Sequence, residues 1–421
     1  MSLPRGIRDI EPEEFRFHAK VRSAFEEVAR LYNFRVMEPA SIEHLSTLRA
    51  KSGEDVDKEI YTFKDKGGRD VGLRFDLTVG IARYVCARKD LRLPTKIAAF
   101  GGMWRYDEPQ YGRFRWSHQW DLEIFGPPSI DSDAEVIDAS AAIMKRIGLE
   151  RTVIKVGDRR VVESFIRERV GVKEDQKVAE LMRALDKVEK KTHAELEQEY
   201  KAKGFGGDEV RRVLELGDIS GEPEEVLRKT AEMGLRGTED LARLHDLLRS
   251  RGVKNLEYNL RIVRGIDYYT GVVFEVADSA NPRLGSLCGG GRYDALPKLL
   301  GRPDLSATGA AGGVEREAMS MAKESAKPEV VAFVACASTE VIANAAGLLA
   351  RLRESGISAD ASPTGRSLGK QLEDASALGA RWVLVIGKRE VSAGSVTLRD
   401  MKSGEEQMIT PDEAMERLGA S

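Results

Sequence analysis

Residues 95 to 126 constrain the fold more than any other stretch. The run KIAAFGGMW has the short apolar and aromatic character of a strand. WDLEIFG alternates apolar side chains with Asp121 and Glu123, so one face of a second strand is apolar and the other carries carboxylates. Between them Glu108-Pro109-Gln110-Tyr111-Gly112 breaks the pattern and reads as a loop. The segment is therefore a hairpin, with Arg105 at the end of its first strand and Arg113 and Arg115 at the start of its second. Guanidinium forks reaching in from both strands suit phosphate oxygens. Taken alone, the segment modestly favours phosphate binding over the plainer alternative, a solvated hairpin whose arginines pair with nearby acids.

A second bend lies at 259 to 276, NLRIVRGIDYYTGVVFEV, where the strand-like runs LRIV and VVFEV flank one cation, one acid and two phenols. Binding residues concentrate at bends held by rigid elements. Composition removes several other readings. With 66 basic and 69 acidic residues the formal charge is -3, so a polyanion has to be met by local patches. The cysteines, Cys86, Cys288 and Cys336, are too far apart for a disulfide framework or a zinc cluster, and the five histidines show no HxxxH or HxH spacing; no protein metal site is expected. The N-terminus offers no signal peptide, and no run of about 18 apolar residues occurs, so a soluble protein of the reducing cytoplasm without membrane contact is expected.

At 421 residues the chain predicts two or three domains. Residues 13 to 31 space Phe17, Val21, Phe25, Val28 and Leu31 at helical intervals, and the strand-like FRVMEPA follows. From about 170 to 254 the chain becomes rich in Lys, Glu, Ala and Leu and reads as helices, a mixed-charge solvated surface by default. After Lys327-Pro328 the pattern alternates strand, helix, strand, helix, strand, a parallel βαβαβ unit. Its first strand leads into ACASTEV without a glycine-rich turn, which argues against a dinucleotide-binding unit. CGGGRYD, at 288 to 294, lacks the Lys-Ser/Thr of a phosphate loop.

RGIDYYTG, with PRGIRDI at 4 to 10, LRFDLT at 73 to 78, WRYDEPQYGRFR at 104 to 115 and GGGRYDAL at 289 to 296, closely resembles the histidyl-tRNA synthetases, in the family's motif order. GRSLGKQLEDASALGARWVLVIG resembles the anticodon-binding domain shared by several class II synthetases. The resemblance implies an α+β fold: a class II antiparallel β-sheet catalytic domain flanked by helices over 1–168 and 255–325, a helical insertion over 169–254 that leans over the tRNA acceptor arm, and a C-terminal α/β anticodon-binding domain over 328–421. It also implies a homodimer built on the first helix and the strand ending at Pro39, with ATP, Mg²⁺, histidine and tRNA(His) as cofactors, substrates and partners. The alternatives are a histidine-sensing paralogue of the ATP phosphoribosyltransferase regulatory type and a tRNA-binding pseudo-synthetase. Retention of the C-terminal domain and of three phosphate arginines argues against both.

Site residues follow by the same resemblance. Arg105 would hold the α-phosphate and the substrate carboxylate, Arg264 the α-phosphate from the other side, Arg316 the γ-phosphate and Arg113 the triphosphate tail, with Asp107 also at ATP. Asp76, Thr78 and Gln119 would receive the α-ammonium. Glu123 and Tyr269 would bracket the imidazole, with Tyr268 and Tyr293 beside it, and Gln110 would touch the tRNA acceptor end. One position departs from the family: where a phenylalanine stacks on adenine, this chain has Ser117, with Phe114 and Trp116 nearby.

Overall fold

The computed structural model describes residues 2–50, 58–108, 111–188, 191–263, 269–321, 331–362 and 365–419. They fall into two compact units, Met1–Lys323 and Glu324–Ser421. The first contains the strands β1 (Arg35–Met37), β2 (Ile42–His44), β3 (Thr62–Lys64), β4 (Asp70–Leu73), β5 (Thr95–Trp104), β6 (Trp116–Gly126), β7 (Thr152–Asp158), β8 (Ser220–Gly221), β9 (Leu256–Asn259), β10 (Val272–Asp278), β11 (Ser286–Arg292) and β12 (Ser306–Gly313). Among the described residues, nine of these form one sheet in the order β1-β5-β6-β12-β11-β10-β7-β9-β8, and β2-β4-β3 form a small second one.

The hairpin expected from the sequence is the pair β5–β6, antiparallel from Thr95 opposite Phe125 to Trp104 opposite Trp116. Antiparallel pairing continues through β12, β11 and β10 to β7, and parallel pairs occur only at the flanks, β1 with β5 and β7 with β9. Alternation along β6 decides what each face does. Trp120, Leu122 and Ile124 enter the hydrophobic core with Val21, Phe25 and Val28 of the helix Pro12–Leu31 and Val136 and Ile137 of the helix Ile130–Arg146. Full burial of such a side chain stabilises by about 1.5–3 kcal/mol. Gln119, Asp121 and Glu123 point the other way and are nonetheless buried, only 5%, 0% and 1% exposed.

The helix Pro12–Leu31 starts on a proline whose fixed φ suits the first turn, with Glu13 and Glu14 against the positive helix end. Its apolar stripe is taken up internally by this core, while Phe15 and Leu31 remain exposed. Among its described residues the lysine- and glutamate-rich segment forms five helices, Asp175–Asp186, His193–Ala202, Gly207–Gly217, Pro223–Glu232 and Thr238–Ser250. The long first stretch breaks where Thr192 and Glu195 cap each other's backbone N–H and start a new helix. Leu181, Leu214 and Leu244 share the core of the large sheet, and β8 pairs with β9.

Arg292, on β11, is tied to the helix Ile130–Arg146: its Nη2 donates to Asp133 Oδ2 at 2.8 Å and to the Ser129 carbonyl at 2.6 Å. Burial pushes the Asp133 carboxyl up to about 6, against the pull of Arg292. Arg292→Met should therefore strand a buried carboxylate and lower stability by about 3–5 kcal/mol at neutral pH. Without Arg292 the Asp133 carboxyl is pushed higher still, so it stays protonated in the mutant's fold where the wild type's ionises; the mutant's deficit should be smallest and level below about pH 6 and widen above it. Thermal unfolding of both proteins across that range tests it; a deficit independent of pH would show that Asp133 is not the stranded group.

Among the described residues the second unit has a five-stranded sheet in the order β14-β13-β15-β16-β17, from β13 (Ala332–Cys336), β14 (Ala359–Ala361), β15 (Trp382–Ile386), β16 (Val396–Asp400) and β17 (Glu406–Ile409). β13 lies parallel between β14 and β15, as the βαβαβ pattern requires. The antiparallel hairpin β16–β17 was not legible, because both strands are short and carry charge. Val334, Leu348, Leu352 and Leu384 give this unit its own core. Among the described residues no helix is long and apolar enough to cross a membrane.

Candidate active site

A cleft of about 360 Å³ is lined from β5, β6, β11 and β12 and from the start of the helix Val314–Met321. Its floor is almost without side chains: Gly289, Gly290, Gly309, Ala310, Ala311 and Gly313 all line it. Two of these glycines are required by space. Gly309 sits opposite Glu123 in the β6–β12 register, and a Cβ there would strike the Glu123 carboxylate. A Cβ at Gly290 would run into the backbone of Gly309 and Ala310.

Polar side chains stand on this floor. The Tyr293 hydroxyl donates to Glu123 Oε2, with the phenol 2% exposed and its ring edge-on to Phe125. Asp121 accepts from Thr78 Oγ1 at 2.9 Å and from Gln119 Nε2 at 2.6 Å, which fixes both side chains and the orientation of the amide. Asp76, 4% exposed, accepts from the Val79 N–H at 3.2 Å and so anchors the start of the helix Thr78–Cys86. Arg105 donates Nε to the Phe75 carbonyl at 2.8 Å, and its Nη2 lies 3.4 Å from Gln119 Oε1. Arg316 donates Nη1 to the Ser286 carbonyl at 2.9 Å and Nε to the Gly112 carbonyl at 3.3 Å. Gly112 adopts φ 71°, the left-handed conformation glycine takes without steric cost, where the loop returns towards β6.

Asp76, Thr78, Arg105, Asp107, Arg113, Gln119, Glu123, Tyr269, Tyr293 and Arg316 thus line a single cleft. Arg264, Tyr268 and Gln110 lie outside the described residues. Arg115 does not reach the cleft, contrary to the sequence expectation: it is buried, and its guanidinium donates to the carbonyls of Asp107 and Arg5, each at 3.1 Å, and lies 3.9 Å over the Tyr106 ring. It holds the loop in shape. Beside Ser117 the aromatic in the cleft wall is Phe114, covered by the Arg8 guanidinium at 3.9 Å, whereas Trp116 turns away and meets His118 edge-on at 5.2 Å.

Sequence reasoning missed Asp121 as the organiser of Thr78 and Gln119, although its place between Gln119 and Glu123 at a spacing of two was the available signal. It also missed Glu59, His118 and Glu315, which line the cleft and come from distant segments. The histidines, scattered in sequence, are not all scattered in space: the rings of His18 and His118 meet at 5.4 Å.

A histidyl-tRNA synthetase family model matches residues 6–316, and an anticodon-binding-domain model matches residues 331–420. The chain belongs to the histidyl-tRNA synthetase family. Similar relatives include the histidine–tRNA ligases of Thermococcus kodakarensis, 38% identical over 98% of this chain and 97% of the relative, and Pyrococcus horikoshii, 37% identical with the same coverage. The crystal structure of histidyl-tRNA synthetase from Nostoc superposes with a TM-score of 0.86 at 24% identity, covering 100% of this chain and 99% of that one, a likeness of fold. A mixed α+β unit with a large, mainly antiparallel sheet and a separate sheet domain after it is the architecture expected of the family.

Proposed function

We propose that the protein activates histidine with ATP and transfers it to tRNA(His), and that the cleft performs the first step. The observation that carries this reading is the division of the cleft wall. One part holds a buried carboxylate already engaged by a phenol, Glu123 with Tyr293, and another presents Arg105, Arg113 and Arg316.

Activation joins the histidine carboxylate to the α-phosphorus and expels pyrophosphate. The attacking carboxylate is ionised at neutral pH, so no general base is required. The work is orientation and charge neutralisation. Arg105, braced by the Phe75 carbonyl, is assigned to the α-phosphate and the substrate carboxylate. Arg316, braced by two backbone carbonyls, is assigned to the γ-phosphate, and the exposed Arg113 to the triphosphate tail. Arg264 and Asp107 are assigned to ATP as well. The α-ammonium goes to Asp76, Thr78 and Gln119, which Asp121 preorganises. Glu123, Tyr269, Tyr293 and Tyr268 receive the imidazole.

Mg²⁺ fits the cleft: Glu59 and Asp107 place carboxylates in its wall, suited to an ion that stays largely on phosphate and water. Bound there, it would lower the charge of the departing pyrophosphate. For tRNA, the unit Glu324–Ser421 is assigned to the anticodon, the helical segment 169–254 to the acceptor arm, and Gln110 to its end. A homodimer in the cytoplasm is part of the proposal. Phe15, Leu31, Val36 and Ile42, exposed on and after the first helix, support the dimer.

Histidine-dependent ATP–pyrophosphate exchange tests the reading. A folded protein that binds histidine without exchange would be a sensor, and one that binds only tRNA a pseudo-synthetase. Because each unit has its own core, removing residues 324–421 should leave exchange within a few-fold of the full chain while tRNA charging falls by orders of magnitude. If both fall together in a folded remainder, the division of labour is wrong.

A further inference from the structure

Three segments distant in sequence meet beside β6, at the part of the cleft wall that His118 and Glu315 line. His18 comes from the helix Pro12–Leu31, His118 from β6 two residues before Trp120, and Glu315 from the helix Val314–Met321. One donor atom from each lies within 4.8 Å of the other two. Glu315 Oε1 accepts from the His118 backbone N–H at 2.8 Å and lies 3.3 Å from His118 Nδ1. Donors 2.0–2.1 Å from a tetrahedral ion stand about 3.3 Å apart, so part of this set already has the spacing an ion needs.

His18 is the unexplained member. It is 4% exposed, and its Nε2 makes no hydrogen bond; the nearest acceptor is Glu14 Oε1, an ion-pair neighbour one helical turn away at 3.4 Å. A buried polar atom left without a hydrogen bond is costly. Glu14 is held from behind by both terminal nitrogens of Arg8. Two carboxylates, Glu14 and Glu315, and one guanidinium, Arg8, surround the imidazoles, an excess of one acid over base that suits a cation.

We infer that His18, His118 and Glu315 form a binding site for a divalent zinc-class cation, with Glu14 or water as the fourth ligand. Two imidazoles and one carboxylate select Zn²⁺ over Mg²⁺, which prefers oxygen donors and retains water. Two of its ligands, His118 and Glu315, also line the cleft, so this ion would sit in the cleft wall and is a different ion from the one proposed to travel with ATP. It would clip the first helix to the second strand of the hairpin and to the helix that carries Arg316.

The test uses full-length protein without a histidine tag, stripped with a chelator and titrated with Zn²⁺ or Co²⁺ in excess Mg²⁺, which fills oxygen-only sites. Elemental analysis should find one Zn²⁺ per protomer. Co²⁺ should give the visible absorption of a tetrahedral nitrogen–oxygen site, and Zn²⁺ should raise the melting temperature. His18→Gln should weaken binding on the order of 100-fold or more and abolish the thermal shift, while His193→Gln, a half-exposed histidine elsewhere, should change neither. Sub-stoichiometric metal in the folded wild type, or undiminished affinity in His18→Gln, would overturn the proposal. These readouts are of metal rather than exchange, so they stand or fall independently of the activity assigned to the cleft.

Discussion

Glu123→Gln is expected to lower kcat/KM for histidine by roughly 30- to 5000-fold while leaving the KM for ATP within a few-fold of wild type. The range corresponds to the about 2–5 kcal/mol lost when one partner of a buried, hydrogen-bonded charge pair is changed. Glu123 is 1% exposed, stands on a strand whose opposite face is locked into the core, and already accepts from the Tyr293 hydroxyl. A carboxylate offers acceptors only, so one oxygen can take the phenol and the other an imidazole N–H. An amide replaces one of those acceptors with an NH₂ that opposes one of the two donors, and it removes the charge. Exchange measured with varied histidine and saturating ATP checks this; an unaltered kcat/KM would mean that Glu123 does not read the ring.

Arg105→Ala should slow adenylate formation by about 100- to 1000-fold, the magnitude found when one donor to a developing oxyanion is removed, about 3–4 kcal/mol. The side chain is braced by the Phe75 carbonyl and lies beside Gln119, so its charge is aimed before substrate arrives. Since it is assigned to the reacting phosphate, the loss should fall on the single-turnover rate more than on the affinity for either substrate. Arg316→Ala, by contrast, should act mainly on ATP affinity. A folded Arg105→Ala protein forming adenylate at near wild-type rate would remove Arg105 from the reacting centre.

What could be read beforehand was whatever depends on neighbours in sequence. Alternation in WDLEIFG placed Glu123 and Trp120 on opposite faces, and the break at Glu108 to Gly112 ended both strands near where they end. The βαβαβ pattern gave β13, β14 and β15 but not β16 and β17, whose short charged runs lack an apolar face long enough to register. Contacts between distant segments were not legible in the same way. No local pattern shows that Arg115 will turn to the Arg5 carbonyl, that Arg8 will cover Phe114, or that His18 will meet His118, because each depends on how the N-terminal segment and the first helix lie against the hairpin. The motif resemblance reached the cleft wall because its residues are spread over five recognisable segments that the sheet then gathers.

The glycine and alanine floor bears on any attempt to redesign the pocket. Engineered changes of amino-acid specificity usually begin by trimming a bulky side chain to admit a larger substrate, but here the floor of the cleft is mostly backbone, with Gly290 and Gly309 already at the limit of close approach. Little remains there to trim. Libraries aimed at histidine analogues with substituents on the ring would have to open the walls, at Tyr269, Tyr293 or the Glu123 pair, and would spend the recognition groups to gain the room. The same geometry makes the floor nearly a one-way valve for mutation, since beyond the two methyls of Ala310 and Ala311 substitution there can only shrink the site.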